Sequence, residues 1–147
     1  MLKRILIPFA ALLLVAAQGT VAENSTAVGG YVIHHNALST DNLSPQVASA
    51  YNIRRSKERA MLNISVIRGE QGKLGQPVAA QVKATARNLI GQQRDIPLRE
   101  IREGGAIYYI GDFAVANKEK LDFFLEVTPV GENTPLKARM AQEFYTD

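Results

Sequence analysis

Cysteine is absent from this 147-residue chain. That excludes disulfide staples, a lipid anchor attached through an N-terminal cysteine, and any thiol nucleophile. Histidine is almost absent too: the two copies, His34 and His35, are adjacent. There is no G-x-G-x-x-G or phosphate-cradling glycine loop, and no serine sits in a G-x-S-x-G turn. The closely spaced carboxylates, Glu100 with Glu103 and Asp122 with Glu126, read as outward strand positions rather than as the walls of a cleft. A strong charge of one sign is missing as well. Of 17 Lys and Arg, Lys3 and Arg4 belong to the extreme N-terminus; the remaining 15 face 14 acids, a balance of +1. A nucleic-acid partner is not expected of so neutral a chain. Nor does any apolar run reach the ~20 residues that a membrane-spanning helix needs.

The N-terminus nevertheless has a distinct character. Lys3 and Arg4 precede an uncharged stretch, Ile5 to Ala17, of about 13 residues, which is the length of a signal-peptide core. Thr20-Val21-Ala22 then supplies small residues where a signal peptidase reads them. The sequence therefore predicts a signal peptide over residues 1–22 with cleavage after Ala22, Gly19 being the fallback. A single domain over residues 23–147 remains, a periplasmic protein with no membrane span after cleavage. Its 125 residues suffice for one core without disulfides.

Period-two alternation of apolar and polar residues runs through that domain. Tyr31, Ile33, His35 and Ala37 alternate with Val32, His34 and Asn36; the same pattern recurs from Ala60, Val78, Leu121 and Leu136. Ile96, Leu98 and Ile101 mark a short edge strand interrupted by Pro97, and Ala106 to Val115 is an aromatic-rich strand. Glu23 to Val28 reads as a flexible lead-in. Glycine-bearing turns separate the segments. The pattern predicts an all-β fold: an immunoglobulin-like antiparallel β-sandwich of about seven strands. One segment, Leu38 to Arg55, breaks the period. Within it Ser44 followed by Pro45 is a helix start, and a short helix is expected over Pro45–Ala50 in the crossover after the first strand.

The candidate chemistry is sparse. Adjacent strand residues face opposite ways, so regular geometry prevents His34 and His35 from binding one metal together. Packing of one histidine and exposure of the other is the simpler reading. A copper or other metal site would need His34 or His35 with Met61 or Met140, thioether and imidazole being copper-type donors. A hydrolase built on His34 with Ser39, Ser44 or Asp41 lacks a nucleophile turn. The leading expectation is a non-enzymatic module with no cofactor. It would bind another periplasmic protein or a small ligand through the polar segment from His34 to Ser56. His34, Asn36, Tyr51, Arg54 and Arg55 are the candidate contacts. The competing reading is that His34, Asn36 and Arg55 merely tie the crossover to the sheet. The basic run from Arg54 to Arg59 reads mainly as a solvated loop or strand start.

Several stretches together resemble a family of small exported bacterial proteins known only as a domain of unknown function. They are Tyr31-Val32-Ile33-His34-His35-Asn36-Ala37, Leu43-Ser44-Pro45-Gln46-Val47-Ala48, Tyr51-Asn52-Ile53-Arg54-Arg55-Ser56 and Leu62-Asn63-Ile64-Ser65-Val66. Ala106-Ile107-Tyr108-Tyr109 and Gln142-Glu143-Phe144-Tyr145 fit as well. The resemblance covers nearly all of the processed chain. It implies a soluble periplasmic β-sandwich and carries over no catalytic residue. The family pattern has tyrosine after the first histidine, so His35 is a departure that weakens a paired-histidine metal site.

Overall fold

Apolar side chains on every second residue give each strand one face to bury, and two sheets meet over those faces. The computed structural model describes residues 24–147; the signal peptide expected over residues 1–22 and its cleavage point lie outside them. The strands are β1 (Asn24–Val28), β2 (Tyr31–Ser39), β3 (Arg59–Arg68), β4 (Gln76–Pro77), β5 (Ala80–Asn88), β6 (Gln93–Ile96), β7 (Arg99–Glu103), β8 (Ala106–Ala114), β9 (Glu119–Pro129) and β10 (Leu136–Phe144). A first sheet has the order β1-β2-β3-β8-β7, with β4 also on β3; a second has the order β10-β9-β5-β6. Every pairing among the described residues is antiparallel.

The core lies between the sheets. Ile33, Leu62, Ile64 and Val66 from the first sheet and Phe123, Leu125 and Val127 from the second are almost wholly buried. Phe113, Phe123 and Phe144 meet edge to face, with centroids 5.5, 5.8 and 6.2 Å apart, the arrangement that ring quadrupoles favour.

The all-β sandwich with one short helix is as the sequence implies, but the described strands number ten rather than seven. The presumed lead-in is a strand: Gly29 and Gly30 both take positive φ, +60° and +82°, and close a two-residue hairpin that pairs Val28 with Tyr31. The segment around Pro97 is two edge strands, not one. β6 belongs to the second sheet and β7 to the first, and the chain changes sheets at Pro97 and Leu98. Proline has no N–H to continue a ladder, so the break falls there. The same corner explains Gly111. A Cβ at Gly111 would collide with the Pro97 carbonyl oxygen and press on Ile96 and Leu98, so only glycine lets the sheet change pass so close to β8. The third addition, β4, is only two residues long.

A crossover from Thr40 to Glu58 joins β2 to β3 across the outer face of the first sheet. It holds a 3-10 turn (Thr40–Asn42) and helix α1 (Pro45–Ala50). Ser44 caps α1 by accepting the Val47 N–H at 3.2 Å, and Pro45 occupies the first turn, as the sequence predicts. Ile53 descends from the crossover onto Met61 and Ile110, with Leu38, Leu43, Tyr51, Ile101 and Tyr108 around them. This second, smaller apolar cluster lets the first sheet bury side chains on both faces.

Candidate functional site

β2 divides the two histidines. His35 points into the sandwich and is 3 % exposed; His34 lies half-buried on the outer face. A hydrogen bond of 2.9 Å joins His35 Nε2 to Thr26 Oγ1 on β1, while Nδ1 is buried with no hydrogen-bond partner among the described residues. Burial lowers the His35 pKa. Its own backbone opposes the shift, and neighbouring His34 adds to it.

The outer face is ordered in cross-strand pairs. His34 stands opposite Ser65, Asn36 opposite Asn63, and Leu38 opposite Met61. His34, Asn36, Asn63 and Ser65 are all half-buried, making a polar patch beside the apolar cluster under the crossover. Asn63 Oδ1 is buried without a partner among the described residues, an unmet acceptor directly across from Asn36.

The four candidate metal donors do not converge. Met61 is on the outer face, four register positions from His34, or roughly 13 Å at strand spacing. Met140 is in the main core on β10, and His35 faces the interior from the other sheet. The donors thus come as an outer pair and an inner pair. Among the described residues no group of three or more His, Asp or Glu could hold a metal ion. The candidate hydrolytic residues are separated too. Ser39 Oγ donates to Asp41 Oδ1 at 2.6 Å, while strand alternation sends His34 to the opposite face from Ser39.

The crossover is held from beneath by Thr40, which is 0 % exposed. Its hydroxyl lies 2.9 Å from the Arg54 carbonyl and 3.1 Å from that of Ser56, and it accepts the Ser56 N–H at 2.9 Å. One hydroxyl therefore ties the start of the crossover to its end. The named crossover residues divide around this lock. Tyr51 caps α1 and donates from its hydroxyl to Glu103 Oε1 on β7 at 2.8 Å. Its pKa is raised, first by burial and then by the hydrogen bond and charge of Glu103. Arg55 Nη2 donates to the Asp41 carbonyl at 3.2 Å, a tie within the crossover. The Arg54 side chain is exposed, although its backbone is fixed by Thr40. Tyr51, Arg54 and Arg55 thus belong to the crossover, and His34 and Asn36 to the sheet. A cleft of about 500 Å³ is lined by Asn36, Asn42 and Lys57 together with Gln142, Glu143 and Tyr145 at the end of β10; Asn36 is the one candidate contact that lines it.

Sequence reasoning passed over Thr40, Asn63 and the β10 edge. Asn63 could have been found by placing its alternation against that of Asn36. Thr40 carries no such signal. A further cleft, about 580 Å³, lies on the outer face of the second sheet, where Phe124 is flanked by the guanidiniums of Arg87 and Arg139, each 5.0 Å from the ring.

Two antiparallel sheets, a core between them and a rigid polar crossover on one outer face define a small β-sandwich domain. The chain belongs to the family described as Domain of unknown function (DUF4426), which matches residues 25–147. A crystal structure of a DUF4426 family protein from Pseudomonas aeruginosa is similar at 31% identity, with a TM-score of 0.71 over 85% of this chain and 96% of that one. Two further crystal structures share the fold at low identity. FetP from uropathogenic Escherichia coli strain F11, recombinantly expressed in the periplasm, is 9% identical with a TM-score of 0.59, over 83% of this chain and 93% of its own. A copper-bound variant of Campylobacter jejuni P19 is 12% identical with a TM-score of 0.52, over 83% and 94%. No curated protein matches the chain. Among the described residues no helix is long and apolar enough to cross a membrane.

Proposed function

We propose that the domain is a non-enzymatic periplasmic binding module that recognises another exported protein or a small ligand where the crossover meets β2. The observation that carries this reading is the Thr40 lock beside the cleft that Asn36, Asn42 and Lys57 share. A loop already fixed loses little entropy on binding, which favours recognition by its exposed groups. Arg54 and Lys57 supply cationic hydrogen-bond donors and Asn36 a neutral amide. The processed protein recovered from the periplasm is compared with an Arg54→Ala/Arg55→Ala variant. The expected result is loss of the co-purifying partner with stability changed by less than about 1 kcal/mol, since both side chains are exposed. Undiminished co-purification, or loss of the fold, would instead mark the arginines as ties of the crossover.

A second reading, copper handling, draws on the fold shared with the copper-bound FetP and P19 variants. Here the donors would be His35 with Met140, both turned into the sandwich, since His34 and Met61 stand too far apart to share one ion. Calorimetry with Cu(I), Cu(II) and Zn(II) tests it, and binding no tighter than micromolar removes it.

A further inference from the structure

The turn between β5 and β6 is firmly built, yet it presents two large aliphatic side chains to solvent. Asn88 Nδ2 donates to Gln92 Oε1 and the Gln92 N–H donates to Asn88 Oδ1, both at 2.9 Å. Backbone bonds from Asn88 to Gln92 and from Gly91 to Asn88 complete it. Held on this frame, Leu89 and Ile90 are each 79 % exposed. Scattered exposed aliphatics need no explanation; an adjacent pair on a rigid, protruding tip does.

The surroundings indicate what covers the pair. A cleft of about 260 Å³ joins Leu89 and Ile90 to Lys118, Glu119 and Lys120 at the start of β9. Glu119 is engaged by Arg94 at 3.6 Å and accepts the Ala116 N–H. Lys120 stands opposite Glu143 on β10. Among the described residues no ion pair engages Lys118. Tyr145, 61 % exposed, stands at the same end, because Thr146 N–H and Asp147 both bond to Asn117 in the β8–β9 turn. An aliphatic pair with lysines beside it and a tyrosine at the margin matches the layering of a lipid interface.

We infer that this end of the sandwich docks reversibly on an anionic phospholipid surface. Leu89 and Ile90 enter the boundary between headgroups and acyl chains, and Lys118 and Lys120 meet lipid phosphates. The aliphatic tip shares no lining residue with the crossover cleft of the site proposed above; the two surfaces meet at Tyr145, which lines that cleft.

Co-sedimentation of the processed protein with vesicles tests the inference. One set contains phosphatidylglycerol and phosphatidylethanolamine, the other phosphatidylcholine alone. Binding to the first set and little to the second is expected. Leu89→Ser/Ile90→Ser should weaken binding by at least about tenfold without changing the melting temperature, since both side chains are exposed. Lys118→Gln should weaken it about fivefold and narrow the difference between the vesicle sets. Absence of wild-type binding to either set overturns the inference, as does full binding by the aliphatic variant. A concentration-dependent dimer in sedimentation velocity that the aliphatic variant abolishes also overturns it, in favour of a second copy as occupant.

Discussion

His35 places a titratable ring inside an apolar sandwich, joined to β1 through Thr26. Burial holds its pKa below the ordinary histidine value of 6.5. The unfolded chain, near that ordinary value, therefore takes up the proton first as pH falls. The stability that neutral His35 supports is complete above about pH 6.5 and is lost progressively below it, levelling off once the folded state also protonates. Urea unfolding of the wild type and of His35→Gln across this range checks the effect. The wild type should lose stability more steeply below pH 6.5, whereas parallel profiles would show that the ring carries no such penalty. The sequence could not say which histidine turns inward. Val32 and Ile33 are 2 % and 0 % exposed, and with cover on both faces of the sheet, hydrophobicity does not choose the frame.

The crossover is the element that sets this fold apart from a plain strand pattern, and it was legible only in part. Its helix was, because Ser44 and Pro45 are local signals whose partner, the Val47 N–H, is three residues away. The lock was not: Thr40 reaches groups 14 and 16 residues further on, and their backbone atoms carry no sequence signature. Thr40→Val should cost about 1–3 kcal/mol, because it leaves the partly buried Ser56 N–H without its acceptor. Faster amide exchange at Ser56, with the β3–β8 ladder still protected, would show that the loss is local to the crossover. Unchanged exchange there would contradict the lock. β1 and the β6–β7 corner were missed for related reasons. β1 is built from small and polar residues that carry no alternation of their own. The split at Pro97 depends on which sheet each neighbour joins, a choice made by contacts distant in sequence.

Taken together, the sandwich offers three different surfaces: the crossover with its cleft, the cation-flanked Phe124 face of the second sheet, and the aliphatic tip with its lysines. All-β class and, except in β2, the inward strand faces followed from alternation. The pairing order did not, since period two says which side a residue faces but not which strand lies beside it. The candidate contacts were legible as residue types, but their division between sheet and crossover needed the register of β2 against β3. Recognition at the crossover carries the proposed function. Site-specific photocross-linking in intact cells tests it most directly, with a photoreactive residue at Arg54 and, as a control, at Lys83 on the outer face of the second sheet. A discrete adduct from position 54 and none from position 83 is the predicted result. The same adducts from both positions, or adducts from position 83 alone, would contradict it.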